Sequence, residues 1–281
     1  MQIIDRCEAL SELLNMVRND GKKVHFIPTM GALHEGHVSL LTNALDSNAI
    51  TVVSVFVNPS QFNKSKDLHN YPRTFEADKK KLKDAGCHIM FFPSVKEVYP
   101  DSQIPNFDLE GLDTLMEGEF RPGHFQGVVQ VVDRLFSIIQ PDKAFFGQKD
   151  FQQLAVVQHM MKKLGHQTEV LGCPTIREAS GLAMSSRNML LSDEALTNAS
   201  IIYTTLENIK DGYKKGSTID VLINQAKSDI NSIIGFELEY LEIVNPGSLD
   251  RINENQNKTA VACVAAYVEG VRLIDNLMLI A

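Results

Sequence analysis

The sequence has no surplus of positive charge. Its 281 residues carry 27 Lys and Arg against 35 Asp and Glu, a formal net charge of -8, which disfavours a strongly basic nucleic-acid binder. Cysteine is sparse: Cys7, Cys87, Cys173 and Cys263 are spaced too widely for a zinc knuckle or redox pair and too sparsely for a secreted disulfide scaffold. Buried or inert thiols are expected. The longest apolar runs, Ala49 to Val57 and Ala260 to Val268, are too short to span a bilayer. The opening MQIIDRCEALSELL places acids where a signal peptide has a basic start, so a cytoplasmic protein with no membrane partner is expected. There is no internal repeat or low-complexity segment, and Asn253 to Lys258 reads as a polar loop.

What is present is ordinary for a globular chain. A hydrophobic fraction of 44% with 22% charged residues argues against disorder, and the length suits one large domain or two ordinary ones. Residues 1–187 carry 20 basic and 22 acidic side chains, whereas residues 188–281 carry 7 and 13. All eight histidines fall in the first part, so chemistry needing cations or imidazole is expected there. The excess acid is expected on the outer face of the C-terminal part, away from Arg187.

The first part alternates short apolar runs with helical segments. Val24 to Thr29, Ile50 to Val57, His88 to Phe92, Ala144 to Phe146 and Thr168 to Leu171 read as strands. His37 to Asn48, Thr74 to Ala85, Phe125 to Ile139 and Phe151 to Leu164 read as helices, the first with Leu41, Ala44 and Leu45 inward. This alternation predicts an α/β fold, a Rossmann-like doubly wound parallel sheet with helices on both faces. After Cys173-Pro174, two helices over residues 193–233 and strands at Phe236 to Val244, Ala260 to Tyr267 and Val271 to Leu277 predict a smaller α+β domain. The expected domains are 1–175 and 176–281.

Four segments carry candidate chemistry. PTMGALHEGH, Pro28 to His37, falls where the first predicted strand gives way to a helix, the place where such sheets bind anions. His34 and His37 are spaced to project to one side, which suits two imidazoles contacting a polyphosphate. Helix capping is the plain alternative. The glycine spacing is neither a P-loop nor a dinucleotide fingerprint. GQKD, Gly147 to Asp150, offers Lys149 to a phosphate and Asp150 to a ribose or a helix cap. GLAMSSRN, Gly181 to Asn188, groups Ser185, Ser186 and Arg187 as a phosphate clamp or an interdomain linker. NPSQF, Asn58 to Phe62, brings Gln61, donor and acceptor at once, to the same rim. The stretch EGEFRPGHFQGV, Glu117 to Val128, either lines the site or serves, through His124, only to cap the next helix.

Together with YPRTFEAD, FFGQKDFQQ, YLEIVNP and RLIDNL, these motifs resemble the pantoate–β-alanine ligase (pantothenate synthetase) family in order and spacing over nearly the whole chain. The resemblance implies ATP-dependent condensation of (R)-pantoate with β-alanine through a pantoyl adenylate, with AMP and pyrophosphate released. It implies that Met30, Gly31, Ala32, Leu33, His34, Glu35, Gly36 and His37 form the ATP-binding turn, with His37 and His34 donating to developing phosphate charge. It implies nucleotide contacts from Gly147, Gln148, Lys149 and Asp150, an adenine contact from the Ile176 backbone, and a clamp of Met184, Ser185, Ser186 and Arg187. His37, His34, Lys149 and Arg187 would be catalytic. Gln61 and Gln153 would bind pantoate, with Gln61 also near β-alanine. Magnesium would accompany ATP with few protein ligands, and homodimers are common in the family. Glu76 and Asp78 are separated by Ala77, and Ser180 stands where relatives often have Asp; the first puts any protein ligand to magnesium in doubt.

Two other readings compete. One is a nucleotidyltransferase acting on a phosphorylated small molecule, which shares a His-x-Gly-His type turn. The other is tRNA binding by a synthetase-like protein, against which the missing basic stripe and the acidic C-terminal part count.

Overall fold

Along the inner strands, successive apolar residues go to opposite sides. In the computed structural model, which describes residues 1–62, 65–100, 106–256 and 258–280, Phe26, Val52, Phe91 and Phe146 join one buried cluster. Their neighbours Ile27, Val53, Met90 and Phe145 join another. A strand with both faces buried must be covered on both sides, and each such side chain contributes about 1.5–3 kcal/mol on full burial.

In chain order the elements are β1 (Gln2–Ile4), α1 (Cys7–Asn19), β2 (Lys23–Thr29), α2 (Glu35–Ala44), β3 (Ala49–Val55), α3 (Ser65–Asn70), α4 (Phe75–Asp84) and β4 (Ile89–Phe91). There follow α5 (Val95–Val98), α6 (Glu117–Phe120), α7 (His124–Ile139), β5 (Lys143–Gly147), α8 (Phe151–Leu164) and β6 (Glu169–Cys173). The last part holds α9 (Asp193–Asn198), α10 (Ser200–Lys214), α11 (Ile219–Asn231), β7 (Phe236–Val244), β8 (Ala260–Val268) and β9 (Val271–Ile280). The chain divides into two compact units, Met1–Gln148 with Gln153–Pro174, and Lys149–Gln152 with Thr175 onward.

The first unit is a six-stranded parallel sheet in the order β1-β4-β3-β2-β5-β6. Helices α1, α7 and α8 supply Leu10, Val129 and Val157 to one buried cluster, and α2 and α4 supply Leu41 and Leu82 to the other. From β2 the chain builds outward through β3 and β4, then returns to add β5 on the other side of β2. The order reverses there, so a crevice opens at the carboxyl ends of β2 and β5, where ligands bind in this architecture. In the second unit, β7-β8-β9 form an antiparallel sheet, with α10 packed on β9 and α11 on β7. The fold class is the one expected from the alternation of elements.

Several details depart from the sequence expectations for local reasons. Helix α2 runs Glu35–Ala44 rather than to Asn48, because Asp46 Oδ1 accepts the Asn48 N–H at 2.8 Å, a turn that competes with helix. Leu45 consequently lies outside the helix and is exposed. The stretch 193–233 holds three helices instead of two. Thr197 and Ser200 hydroxyls donate to the Asp193 and Thr197 carbonyls at 2.9 and 2.8 Å, and the helix breaks between them at Ala199. Strand β1 and helix α1 are additions to the expected elements. Cys87, Cys173 and Cys263 are buried and Cys7 is partly exposed. Acids of the second unit are not all on its outside: Asp275 is buried, and the largely covered Glu239 and Glu242 pair with Arg272 and Arg251. Asn257 of the expected polar loop lies outside the described residues. Among these residues no helix is long and apolar enough to cross a membrane.

Candidate active site

The turn that leaves β2 is held by a buried carboxylate. Asp78 on α4 is 1% exposed; its Oδ2 accepts the Ala32 N–H at 3.0 Å and its Oδ1 the Leu33 N–H at 2.8 Å. The Thr74 hydroxyl donates to Oδ1 at 3.1 Å, and Lys81 Nζ donates to the Leu33 carbonyl at 2.8 Å. This clamp stabilises an unusual backbone, with φ of +84° at Gly31 and +50° at Ala32. A Cβ on Gly31 would meet Val55 Cγ1 at 3.0 Å and Asp78 Oδ2 at 3.1 Å, so the torsion favours glycine and a side chain there would crowd both neighbours.

The turn delivers both histidines to one place. His34 is the N-cap of α2 rather than a residue of its first turn, and its Nδ1 accepts the Gly36 N–H at 3.1 Å. The His34 N–H donates to His37 Nδ1 at 3.3 Å, and the two ring centroids are 4.1 Å apart. The structure thus shows the helix capping that the spacing allowed. With each Nδ1 accepting a backbone N–H, the neutral rings carry their protons on Nε2, so both imidazoles are donors at the N-terminus of α2.

Gln61 comes to the same rim in a packed network. The Asn58 Nδ2 group donates to Gln61 Oε1 at 3.3 Å and to the Gly127 carbonyl at 2.9 Å, while Gln61 Nε2 donates to Met30 Sδ at 2.7 Å. The Tyr99 hydroxyl donates to Asn58 Oδ1 at 3.1 Å; burial pushes its pKa up to about 12, so it remains a donor. A Cβ on Gly127 would lie 2.4 Å from the Ser60 carbonyl, which explains glycine at that point of α7. His124 opens α7, its Nδ1 at 2.8 Å from the Gln61 carbonyl and its Nε2 at 3.2 Å from Arg121 Nη1. His124 thus sits in the first turn of α7 without capping it, and its ring is paired with the Gln61 main chain. At the end of neighbouring β5 come Gly147 and Gln148, whose N–H donates to the Cys173 carbonyl at 2.8 Å. Gln153 follows, half-buried in α8.

The second unit carries the remaining candidates. Residues 176–184 form a tight hairpin, followed by a 3-10 turn at Ser186–Leu190: Ile176 accepts the Met184 N–H at 2.9 Å, Glu178 accepts the Gly181 N–H at 2.9 Å, and Arg177 bridges Ala183. Gly181 has φ +92°, and a Cβ there would lie 2.5 Å from the Tyr203 ring. Ser185 Oγ accepts the Arg187 N–H at 3.2 Å, and Ser186 and Asn188 are buried. Lys149 and Asp150 belong to this unit, half-buried and exposed respectively.

A family model described as pantoate-beta-alanine ligase matches residues 2–278. The chain belongs to the pantoate–β-alanine ligase family. A pantothenate synthetase from Cytophaga hutchinsonii is 48% identical over 259 residues, 92% of each chain, and one from Bacteroides fragilis is 44% identical over 278 residues, 99% of this chain and 98% of that protein. The pantothenate synthetase structure from Thermus thermophilus superposes with a TM-score of 0.93 at 40% identity, covering 100% of both chains. A pantoate–β-alanine ligase from Francisella tularensis, complexed with beta-gamma ATP and β-alanine, has a TM-score of 0.82 at 33% identity and covers 99% of this chain and 98% of that one. The ligase fold therefore extends over both units.

Residues overlooked in the sequence are the supports. Asp78 stands in the segment TFEAD, but as a clamp on the turn, with both oxygens committed to backbone N–H groups and Thr74. Among the described residues no group of three or more His, Cys, Asp or Glu is placed to hold a metal.

Proposed function

We propose that this ligase activates (R)-pantoate with ATP and then joins it to β-alanine, with ATP binding at the turn of Met30 to His37 and pantoate at Gln61 and Gln153. A carboxylate is a poor electrophile, so its oxygen first attacks the α-phosphorus of ATP; the bond to the bridging oxygen breaks and pyrophosphate leaves. The β-alanine amine then attacks the acyl carbon, loses a proton, and expels AMP as the amide forms. Neither step needs a covalent enzyme nucleophile. Catalysis rests on positioning and on donors aimed at developing charge.

The observation that carries this reading is the paired histidine turn at the switch point, with both Nδ1 atoms occupied by backbone N–H groups. That arrangement makes Nε2 the donor of each ring, a group suited to phosphate oxygens. Lys149, Ser185, Ser186 and Arg187 supply cationic and hydroxyl contacts to the phosphates, Asp150 a ribose contact, and the Ile176 backbone an adenine contact. The first unit binds ATP and pantoate, and the second acts as a lid. The ligase works in the cytoplasm as a homodimer, a reading supported by the sequence features and the family resemblance.

Pyrophosphate–ATP exchange tests the assignment. Exchange should depend on pantoate, and His37→Ala or Lys149→Ala should lower it by about 100- to 1000-fold, the usual loss for a preorganised donor to the transition state, with folding intact. Exchange that requires a phosphorylated acceptor instead would replace this reading with the nucleotidyltransferase one.

A further inference from the structure

The segment RLIDNL near the chain's end has no part in the ligation as described, yet its central residues are tied to the segments that do. Asp275 and Asn276 lie on β9, 3% and 9% exposed. Asn276 Nδ2 donates to the Lys149 main-chain carbonyl at 2.8 Å. The Asn276 backbone is itself fixed on both sides: its N–H donates to Asp275 Oδ1 at 2.8 Å, and its carbonyl accepts from Arg177 Nη2 at 3.3 Å. Arg177 closes the arrangement as a fork on Asp275, Nη1 to Oδ2 at 2.6 Å and Nη2 to Oδ1 at 3.0 Å. It also donates to the Gly181 carbonyl at 3.1 Å, with its guanidinium carbon 4.0 Å above the centre of the Tyr203 ring.

We propose that Asn276 is the positioning residue for Lys149, fixing the main chain of that lysine against β9. The argument is geometric. Lys149 sits between β5 and α8, outside regular structure, and its main-chain carbonyl is tied to β9. The amide of Asn276 supplies that tie. Its donor is in turn set by the Arg177–Asp275 fork, which also grips the hairpin carrying Met184 to Arg187. A flexible four-carbon lysine delivers its charge to a defined point only if its Cα is fixed. The proposal rests on the reading of Lys149 as a phosphate contact.

The test is pantoate-dependent pyrophosphate–ATP exchange on the full chain with Asn276→Asp, Asn276→Ser, Lys149→Ala and the Lys149→Ala/Asn276→Ser double variant. Asn276→Asp keeps the shape and loses the donor; Asn276→Ser loses the amide without adding charge, and serves if the aspartate variant fails to fold. Either should lower kcat for exchange by about 10- to 100-fold, the range a displacement of about 1 Å produces, with the pantoate KM unchanged. Because Asn276 acts through Lys149, the double variant should exchange no more slowly than Lys149→Ala alone. Defects that multiply would overturn the proposal, as a general structural role predicts. Normal exchange by Asn276→Ser beside a crippled Lys149→Ala would also overturn it while leaving the phosphate role intact. Normal exchange by Lys149→Ala would remove that role and the proposal together.

Discussion

His34 and His37 brace one another across three residues of chain, and Asn58 braces Gln61 across the same interval. In the second unit the corresponding supports are distant: Arg177 meets Asp275 across 98 residues, and Lys149 meets Asn276 across 127. In the first unit the candidate residues stand on turns at the ends of parallel strands, where one short motif contains both the candidate group and its support. In the second, irregular segments are pinned to the last strand of an antiparallel sheet. Function in the second unit should therefore fail with tertiary structure, and in the first with local substitutions.

The largest expected break in this contrast is Asp275→Ala. It strands the Arg177 guanidinium beside a cavity, and removing one partner of a buried pair costs about 3–5 kcal/mol. Urea unfolding monitored by thiol labelling separates the units, because Cys87 reports on the first and Cys263 on the second, both buried. Burial pushes the Cys87 thiol from 9.0 up to about 11. A thiol raised on folding contributes its stabilisation fully below about pH 9 and loses it as pH climbs through about 11, so labelling at pH 8 reads opening rather than titration. In the Asp275→Ala protein, Cys263 should label at lower urea than Cys87. Coincident labelling would show that the units do not open separately and would remove the contrast.

Asp78→Asn sharpens the comparison from the other side, since Asp78 is a tether of the first unit that reaches across 46 residues. An amide presents a donor to one of the two N–H groups at Ala32 and Leu33, leaving it unsatisfied at a cost of about 1–3 kcal/mol. The turn should relax from its positive-φ backbone, and the ATP KM in the exchange reaction should rise while the pantoate KM holds. An unchanged ATP KM would mean that the histidine capping box fixes the turn unaided, and that this half of the site is wholly local.

The same contrast explains what is legible in the sequence. The parallel sheet announces itself through β-branched runs bounded by Gly, Pro and Asn, and the turn, the NPSQ segment and the GLAMSSRN segment through short motifs. These are signals within a few residues. Helix α1 at Cys7–Asn19 is amphipathic and is open to the same reading, whereas β1 at Gln2–Ile4 is a three-residue edge strand with little local pattern. The end of α2 is hard to place because the Asp46 turn and a fourth helical turn draw on similar residues. Asp78, His124 and Asn276 are unreadable as supports, because each acts on a backbone group 46 to 127 residues away. Charge patterning misleads for a related reason: counting acids puts them outside, whereas Asp275 is drawn inward by a guanidinium that no spacing announces.

Ser180→Asp is the smallest expected effect and bears directly on what holds the second unit's hairpin. Ser180 is exposed, and its Oγ accepts the Leu182 N–H at only 3.5 Å; a carboxylate at this point can accept the same N–H. If the hairpin is fixed by Arg177 gripping the Gly181 carbonyl and Asp275, the residue at position 180 merely decorates the turn. Stability should then change by no more than about 0.5 kcal/mol, as for other exposed sites, and the exchange rate should stay within about twofold of the parent, which is the same tolerance in free energy. A clear gain in Tm together with faster exchange would show that a cap at the tip governs the hairpin. In that case the distant tether to β9 would share control with a local one, as the histidine turn does with Asp78.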